Sequence, residues 1–403
     1  MPDDLIIIRG SGSISALGAG ASGYANAAPA FSSQPLGSST LSVGALPASV
    51  EAELAALRKE HSAYRQLDRT VLLALLAARQ ATAQAGWKSD NQENALAVSI
   101  GSSRGATGRL EQFYEEFLEE GSVPPATSPL TTLGNVASWV AFDAGTTAGA
   151  ALSHSSTCSS AFQALGNAMA WLRAGMADRF LAGGTEAPLT AFTLAQMHAL
   201  GIYSPFEASD SPCRPGAGRP STFVLGEGAA VFALEKISRK QLEEGNYTSA
   251  SLSNTYILEA VGFGFEAIGS KTGLSPEGHH FQKAMRQALQ QAPCAPSDID
   301  AIVLHSPGTH AGDASERRAI AAVFGEEMPA LTSNKWLIGH TLGASAALSL
   351  HYALHILATQ SWPAPGFATD LTPAPFRPVR RILINAAGFG GNAASAIVSA
   401  VQI

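Results

Sequence analysis

The chain says the same thing twice in the same order, and this internal echo limits its possible folds more than any other feature. Leu5 to Leu17 (LIIIRGSGSISAL) is a β-branched run leading into Gly-x-Gly, and Tyr256 to Glu266 (YILEAVGFGFE) has the same form. Ala95 to Gly101 matches Asp300 to His305, each an apolar strand that ends in small or polar residues before a turn-prone loop. A Gly/Ser/Ala-rich helix follows in each half: Ser156 to Gly175 with Cys158 near its start, and Gly339 to Leu357 with His340 near its start. A last apolar strand opens into glycines in both, at Arg179 to Gly184 and from Ile382 to Gly391. The order is kept while the spacings differ, which reads as two duplicated halves.

Near-continuous apolar strands alternating with helices predict buried sheets flanked by helices, an α/β protein whose halves face each other in one layered body. The polar stretch Gly245 to Asn254 (GNYTSASLSN) divides them, giving an N-terminal half over residues 1–250 and a C-terminal half over residues 251–403. Ser49 to Ala85 carries Leu54, Leu57, Leu67, Val71, Leu72, Leu75 and Leu76 at mostly helical spacing. The Pro/Ser-rich segments 121–133 and 205–220 are expected to cover or enter a site, because loops near a site carry specificity.

Composition narrows the functional classes. Of 403 residues 46% are hydrophobic and only 14% charged, with a net charge of −7, so the chain can bury a large core without staples. Cys158, Cys213 and Cys294 are too few and too far apart for a disulfide framework or a four-thiolate metal site, and no metal is expected. The acidic balance, with no Lys/Arg stripe interleaved with aromatics, argues against nucleic acid. The acidic start before a short apolar run is the reverse of a secretory signal, and no window of about 18 uninterrupted apolar residues predicts a membrane span. The expectation is a soluble cytoplasmic enzyme.

Three groups of residues could carry chemistry. In Ser156-Thr157-Cys158-Ser159-Ser160 the Ser/Thr caps place the cysteine in the first turn of a helix, where free N–H groups and the helix dipole favour the thiolate. The competing reading is an inert buried thiol. His305 ends an apolar strand and His340 starts a small-residue helix, both in the half opposite the cysteine and both able to face it; singly, each is more often a structural histidine. Asn385 to Asn392 (NAAGFGGN) places glycines after a strand, where backbone N–H groups can approach a ligand closely.

Together these segments resemble the β-ketoacyl-[acyl carrier protein] synthases, condensing enzymes of the thiolase superfamily, over nearly the whole chain. TCSS at 157–160 matches the family's T-A-C-S-S, CRP…FVLGEGAA at 213–230 its R-P-F-D…G-E-G-A, and HSPGT at 305–309 its H-G-T-G-T. KWLIGHTLGA at 335–344 matches K-x-x-x-G-H-x-x-G-A, and NAAGFGGN matches N-S-F-G-F-G-G. The resemblance implies a thiolase-like α-β-α-β-α body, no bound cofactor, and substrates carried on the phosphopantetheine of an acyl carrier protein. It further implies pairing with a second copy or with a related ketosynthase-like subunit.

It also implies roles. Cys158 would take the acyl chain, and His305 and His340 would promote decarboxylation of a malonyl thioester. Backbone N–H groups of Cys158 and Phe389 would form the oxyanion hole, with Phe389 also gating the acyl chain. Thr309 would hold the phosphopantetheine arm, Gly388 and Gly390 would flank the substrate, and Asp313 would support the site. Lys335 would assist the histidines, with Glu227 or Glu316 as its buried carboxylate partner. Arg58, Lys59 and Arg65, with Arg69, are the candidate patch for an acidic carrier, although Arg69 in L-D-R more often makes structural bonds.

The departures are Ser306-Pro307 in place of Gly-Thr, Gly216-Ala217 in place of Phe-Asp, Pro220-Ser221-Thr222 in place of Arg-Asp-Gly, and Ala386-Ala387 in place of Ser-Phe. They point to a specialised type II fatty-acid, polyketide or polyene pathway. The alternative is a non-catalytic chain-length-factor-like partner, a class that lacks the nucleophile. A degradative thiolase needs a second cysteine late in the chain, and none follows Cys294. A Cys-His-Asn enzyme would carry Asn where His340 stands.

Overall fold

The computed structural model describes residues 4–25, 28–87, 96–146, 149–243, 255–269 and 275–401. Among the described residues, ten strands run across the main sheet: β1 (Asp4–Ser15), β2 (Leu96–Gly101), β3 (Ala151–His154), β4 (Arg179–Glu186), β5 (Gly228–Ser238), β6 (Tyr256–Phe265), β7 (Ala301–Val303), β8 (Ala330–Thr332), β9 (Arg381–Gly388) and β10 (Asn392–Ala400); an eleventh, the two-residue strand Gly18–Ala19, pairs with the end of β1 off this path. The longer helices are α1 (Ala48–Glu60), α2 (Arg69–Ala85), α3 (Thr107–Glu120), α4 (Asn135–Asp143), α5 (Ser160–Ala174), α6 (Ala191–Ala199), α7 (His279–Gln291), α8 (His310–Phe324) and α9 (Ser345–Thr359).

The strand order β8-β7-β9-β10-β6-β1-β5-β4-β2-β3 explains the echo. Read outward from its centre it is β1-β5-β4-β2-β3 on one side and β6-β10-β9-β7-β8 on the other, so each strand has its counterpart five numbers later. The halves join where β1 and β6 pair antiparallel, Ile7 opposite Ile257 and Ile8 opposite Tyr256. α5 and α9 pack on each other and each touches strands of both halves, α2 covers the outer face of β1, β5 and β4, and α7 covers β6 and β10, with α8 against α7. The layers are therefore helix, sheet, helix, sheet, helix, as expected, although the two sheets are continuous through the short β1–β6 pairing. The expected division at Gly245 to Asn254 lies outside the described residues.

The Gly-x-Gly repeats lie inside β1 and β6 rather than ending them, and what they provide is close helix packing. A Cβ on Gly10 would fall 2.2 Å from the Ala81 carbonyl oxygen and one on Gly12 2.1 Å from that of Ala77, both in α2. In the second half a Cβ on Gly262 would fall 2.3 Å from the Ala284 oxygen and one on Gly264 1.9 Å from that of His280, both in α7. Real Cβ atoms do not approach so closely, so the paired glycines fix how tightly each outer helix lies on its sheet.

The helical stretch from Ser49 to Ala85 is broken into α1, a 3-10 turn (Ser62–Gln66) and α2. Asp68 makes the break: in extended conformation it caps α2, accepting from Thr70 N at 2.8 Å, and it also accepts from Arg109 N at 2.9 Å. Among the described residues one helical window, Leu342–Thr359, is long and apolar enough to cross a membrane, but 89% of it is buried inside the protein as the central helix α9. Segment 121–133 contains the short helix Thr127–Thr131, and neither it nor segment 205–220 lines the cavity described below; Ser221 and Phe223, just past the second segment, do. Substituting Gly10→Ala should force α2 off β1 and lower unfolding free energy by about 1–3 kcal/mol, an overpacking cost that urea denaturation would measure.

Candidate active site

Cys158 is 9% exposed and lies between β3 and α5. The helix begins at Ser160, two residues later than the caps suggested, because Thr157 takes a left-handed backbone (φ 55°) that turns the chain just before the cysteine. Such a conformation costs a branched residue free energy and is held by its surroundings. Ser156 N donates to Ser160 Oγ at 2.9 Å, and the Thr157 hydroxyl donates to the Ser156 carbonyl at 2.7 Å. From the opposite half, Gly388 at the end of β9 presses on this turn. A Cβ there would sit 1.7 Å from Thr157 Oγ1 and 2.9 Å from Cys158 N, so only glycine lets the Gly388–Gly391 hairpin lie beside the cysteine's amide.

Burial pushes the Cys158 thiol up to about 12, with the Glu186 charge adding to the rise and Lys335 and Arg104 opposing it. The thiolate-favouring environment expected at a helix start is thus outweighed by desolvation.

His305 follows β7, and its amide donates to Glu316 Oε1 at 2.9 Å. His340 stands between the turns Lys335–Ile338 and Leu342–Ala344. Leu342, at φ 43°, turns its amide to donate to His340 Nδ1 at 2.9 Å. With Nδ1 accepting, the proton of the neutral ring is on Nε2, which is left as a donor. The two imidazoles meet edge to face with centroids 5.2 Å apart. Burial and the nearby Lys335 charge push His340 down to about 3; burial first, then the charges of His340 and Lys335, holds His305 well below its ordinary value. Burial thus biases both rings toward the neutral form.

Cys158, His305, His340, Thr309, Gly388 and Phe389 all line one cavity of about 280 Å³ whose other walls include Met197, Leu200, Ile202, Phe223 and Leu342. Phe389 is 38% exposed at its edge. Gly390 is not among the lining residues; with φ 86° it shapes the hairpin turn that carries Phe389.

The supporting residues sort differently from expectation. Glu316, fully buried, accepts from His305 N, Ser306 N, Ser306 Oγ and Asn385 Nδ2, pinning the His305 loop to β9. Glu227 does not partner Lys335. Its carboxylate is taken by Arg69, whose Nε lies 2.6 Å from Oε2 and whose Nη2 lies 2.9 Å from Oε1, and Arg69 also holds Glu51. Arg69 is thus structural. Lys335 instead donates to Asn334 Oδ1 and Ser349 Oγ, and Glu316 reaches it only as a longer-range charge. Asp313 accepts from Gly216 N at 2.8 Å, which fixes the 205–222 loop, and burial pushes its carboxyl up to about 7.

At one of the departures, Ser306, the new side chain is bonded locally. Ser306 Oγ donates to Glu316 and accepts from Arg317, and Arg317 holds Asp370 through two 2.7 Å contacts. The sequence reading missed Glu186. At the end of β4 and fully buried, it accepts from Ser102 Oγ, Ser103 N, Arg104 N and Gly343 N, tying the loop after β2 to the segment just past His340. The signal was present as an acid closing the apolar strand FLAGGTE.

Lys59 and Arg65 are exposed and Arg58 half-buried, clustered with Arg109, which donates to the Arg65 carbonyl. None of them lines the cavity. Substituting Gly388→Ala should displace the Thr157–Cys158 turn and slow acylation of Cys158 by about 100-fold with the fold intact by circular dichroism, measured by intact mass against time.

Comparison with known proteins agrees with this geometry. Residues 32–240 match the β-ketoacyl synthase N-terminal domain and residues 257–365 the β-ketoacyl synthase C-terminal domain. The chain is 29% identical over 346 residues to a 3-oxoacyl-[acyl-carrier-protein] synthase 2 of Staphylococcus aureus, covering 81% of each chain. It is 31% identical over 360 residues to a putative polyketide β-ketoacyl synthase 1 of Streptomyces cyaneus, covering 80% of each. Among solved structures it shares its fold with the ishigamide ketosynthase/chain length factor (TM-score 0.84, 22% identity, 100% of both chains). A β-ketoacyl synthase from Burkholderia phymatum aligns with a TM-score of 0.83 at 23% identity, over 99% of this chain and 100% of that one. A cysteine and two neutral histidines on one cavity, built from two thiolase-like halves, thus belong to a chain that is a member of the β-ketoacyl synthase family of acyltransferases.

Proposed function

We propose that the protein catalyses decarboxylative Claisen condensation between an acyl group on Cys158 and a malonyl thioester on an acyl carrier protein, in a specialised type II pathway. The observation that carries this reading is the single cavity onto which Cys158, His305 and His340 all open, with His340 Nε2 fixed as a donor. In acyl transfer the Cys158 sulfur attacks the carrier thioester and its proton leaves with the carrier thiol. Decarboxylation then builds negative charge on the malonyl thioester oxygen, where neutral imidazole N–H groups are favourable partners. The resulting carbanion attacks the acyl-Cys158 carbonyl, whose developing oxyanion is met by the amides of Cys158 and Phe389. A donor of that kind is worth about 3–4 kcal/mol in the transition state. Loss of carbon dioxide, formation of the carbon–carbon bond and uptake of one proton by the departing Cys158 thiolate balance the step.

The rebuilt HSPGT and 205–222 loops, locked by Ser306, Arg317, Asp370 and Asp313, support a substrate outside ordinary fatty-acid elongation. The open edge of β3 together with exposed Leu110, Tyr114, Phe117 and Phe192 supports pairing with a second copy or a related subunit. Related solved complexes are described as a ketosynthase with its chain length factor and as a ketosynthase with its acyl-carrier protein. The presence of Cys158, both histidines and Lys335 favours the catalytic member over a chain-length-factor role.

Incubation with acyl-carrier thioesters of several lengths should leave an acyl mass on wild type and none on Cys158→Ala. No adduct on folded wild type with any chain would move the assignment to the non-catalytic partner. For the carrier patch, Lys59→Glu should slow acylation from carrier thioesters several-fold while leaving acylation by a small soluble thioester unchanged, because an acidic carrier is steered by local charge. Equal slowing of both would place the carrier elsewhere.

A further inference from the structure

The lysine that assists the histidines is held in an unusual way. Lys335 is 1% exposed, yet its ammonium donates only to neutral oxygens, Ser349 Oγ at 2.9 Å and Asn334 Oδ1 at 3.2 Å. Ser349 closes the triangle by donating to the same Asn334 oxygen at 3.1 Å. Among the described residues no ion pair includes Lys335. The two carboxylates expected for it are committed elsewhere, Glu227 to Arg69 and Glu316 to four donors around His305 and Asn385. A buried ammonium with hydrogen bonds but no countercharge keeps its orientation and loses most of what stabilises its charge.

The groups that bear on it come from every side. Glu316 of α8 favours its charge, as thiolates at Cys213 and Cys158 would, while burial opposes it more strongly, leaving the amine lowered to about 8. Lys335 in turn repels charge on both His305 and His340.

We propose that Ser349 and Asn334 are positioning residues that, by offering neutral oxygens where a carboxylate would fix the charge, leave Lys335 able to lose its proton within the working range of the enzyme and so switch condensation down. The inference rests on the condensation reading above. When Lys335 is charged it stabilises the enolate and the departing thiolate; when it discharges, that field is lost while Asn334 and Ser349 still hold the amine in place.

The test pairs two measurements on the full chain. The pH profile of condensation with a preloaded acyl-Cys158 enzyme should be level up to about 8 and fall about tenfold per pH unit above it. NMR of protein labelled with 13Cε-lysine, with Lys335→Met supplying the assignment, should show Lys335 titrating at the same place whether or not the enzyme turns over. Ser349→Asp and Asn334→Asp each supply a carboxylate and should move both the NMR midpoint and the alkaline limb up by about one unit or more; Ser349→Thr keeps the hydroxyl and should keep both where they are. Either carboxylate variant suffices if the other fails to fold. Titration of Lys335 above pH 10 in wild type overturns the inference, and so does a limb that stays in place when the midpoint moves. Failure of Cys158 to acylate would instead sink the condensation reading, and the NMR titration would still decide how Lys335 is held.

Discussion

Glu186 sits at the end of β4 with no exposed surface, and its carboxylate is satisfied by donors from both halves of the molecule: Ser102, Ser103 and Arg104 on one side and Gly343 on the other. Each charge-assisted hydrogen bond of this kind is worth about 1.5–3 kcal/mol, and an unpaired buried carboxylate would cost more than any of them. The two halves therefore meet in one register in which Leu342 and Gly343 lie beside the nucleophile's turn, and His340 comes with them. Glu316 does the same service on the far side of the cavity, binding the amides of His305 and Ser306 to Asn385 of β9. With both carboxylates satisfied, the positions of Cys158, His305 and His340 follow from backbone geometry rather than from contacts among the three side chains.

The same burial that these carboxylates need their hydrogen bonds to offset sets the charge state of the reacting groups. Removing water raises the cost of any net charge, so both imidazoles are held neutral and the Cys158 thiol protonated. Neutral histidines suit a reaction that develops negative charge on a thioester oxygen, since each can donate to it without first giving up a proton. The thiol has to lose its proton during acyl transfer, and what favours that loss is local: the Lys335 charge, the Arg104 charge and the backbone amide of Cys158 itself. The cavity thus resists resting charge and rewards charge that forms in transit.

Much of this architecture was legible in the sequence because the repeated features carry their reasons with them. Leu5–Leu17 and Tyr256–Glu266 share a pattern because β1 and β6 hold equivalent places at the centre of the sheet, and their glycine pairs recur because α2 and α7 need the same clearance. Cys158 and His340 recur at matching helix starts because α5 and α9 are the paired central helices. What the pattern could not supply were partners brought together from distant segments. Arg69 claims Glu227 across 158 positions, and Ser349 reaches Lys335 only because the turn before α9 folds it back. Helix-start reasoning also gave the wrong sign for the Cys158 thiol, because the dipole is a local property and burial is not.

The sequence by itself determined the fold class, the duplication, the family and the three side chains that face the cavity, since strand and helix periodicity, glycine placement and short ordered motifs are all written locally along the chain. Tertiary structure alone decided which carboxylate serves which cation, the tautomer of His340, and the charge each buried group bears. Those properties depend on distance, on solvent exclusion and on backbone conformation such as the positive φ that aims the Leu342 amide at His340, and they are fixed only when segments as far apart as Arg69 and Glu227 are packed against each other.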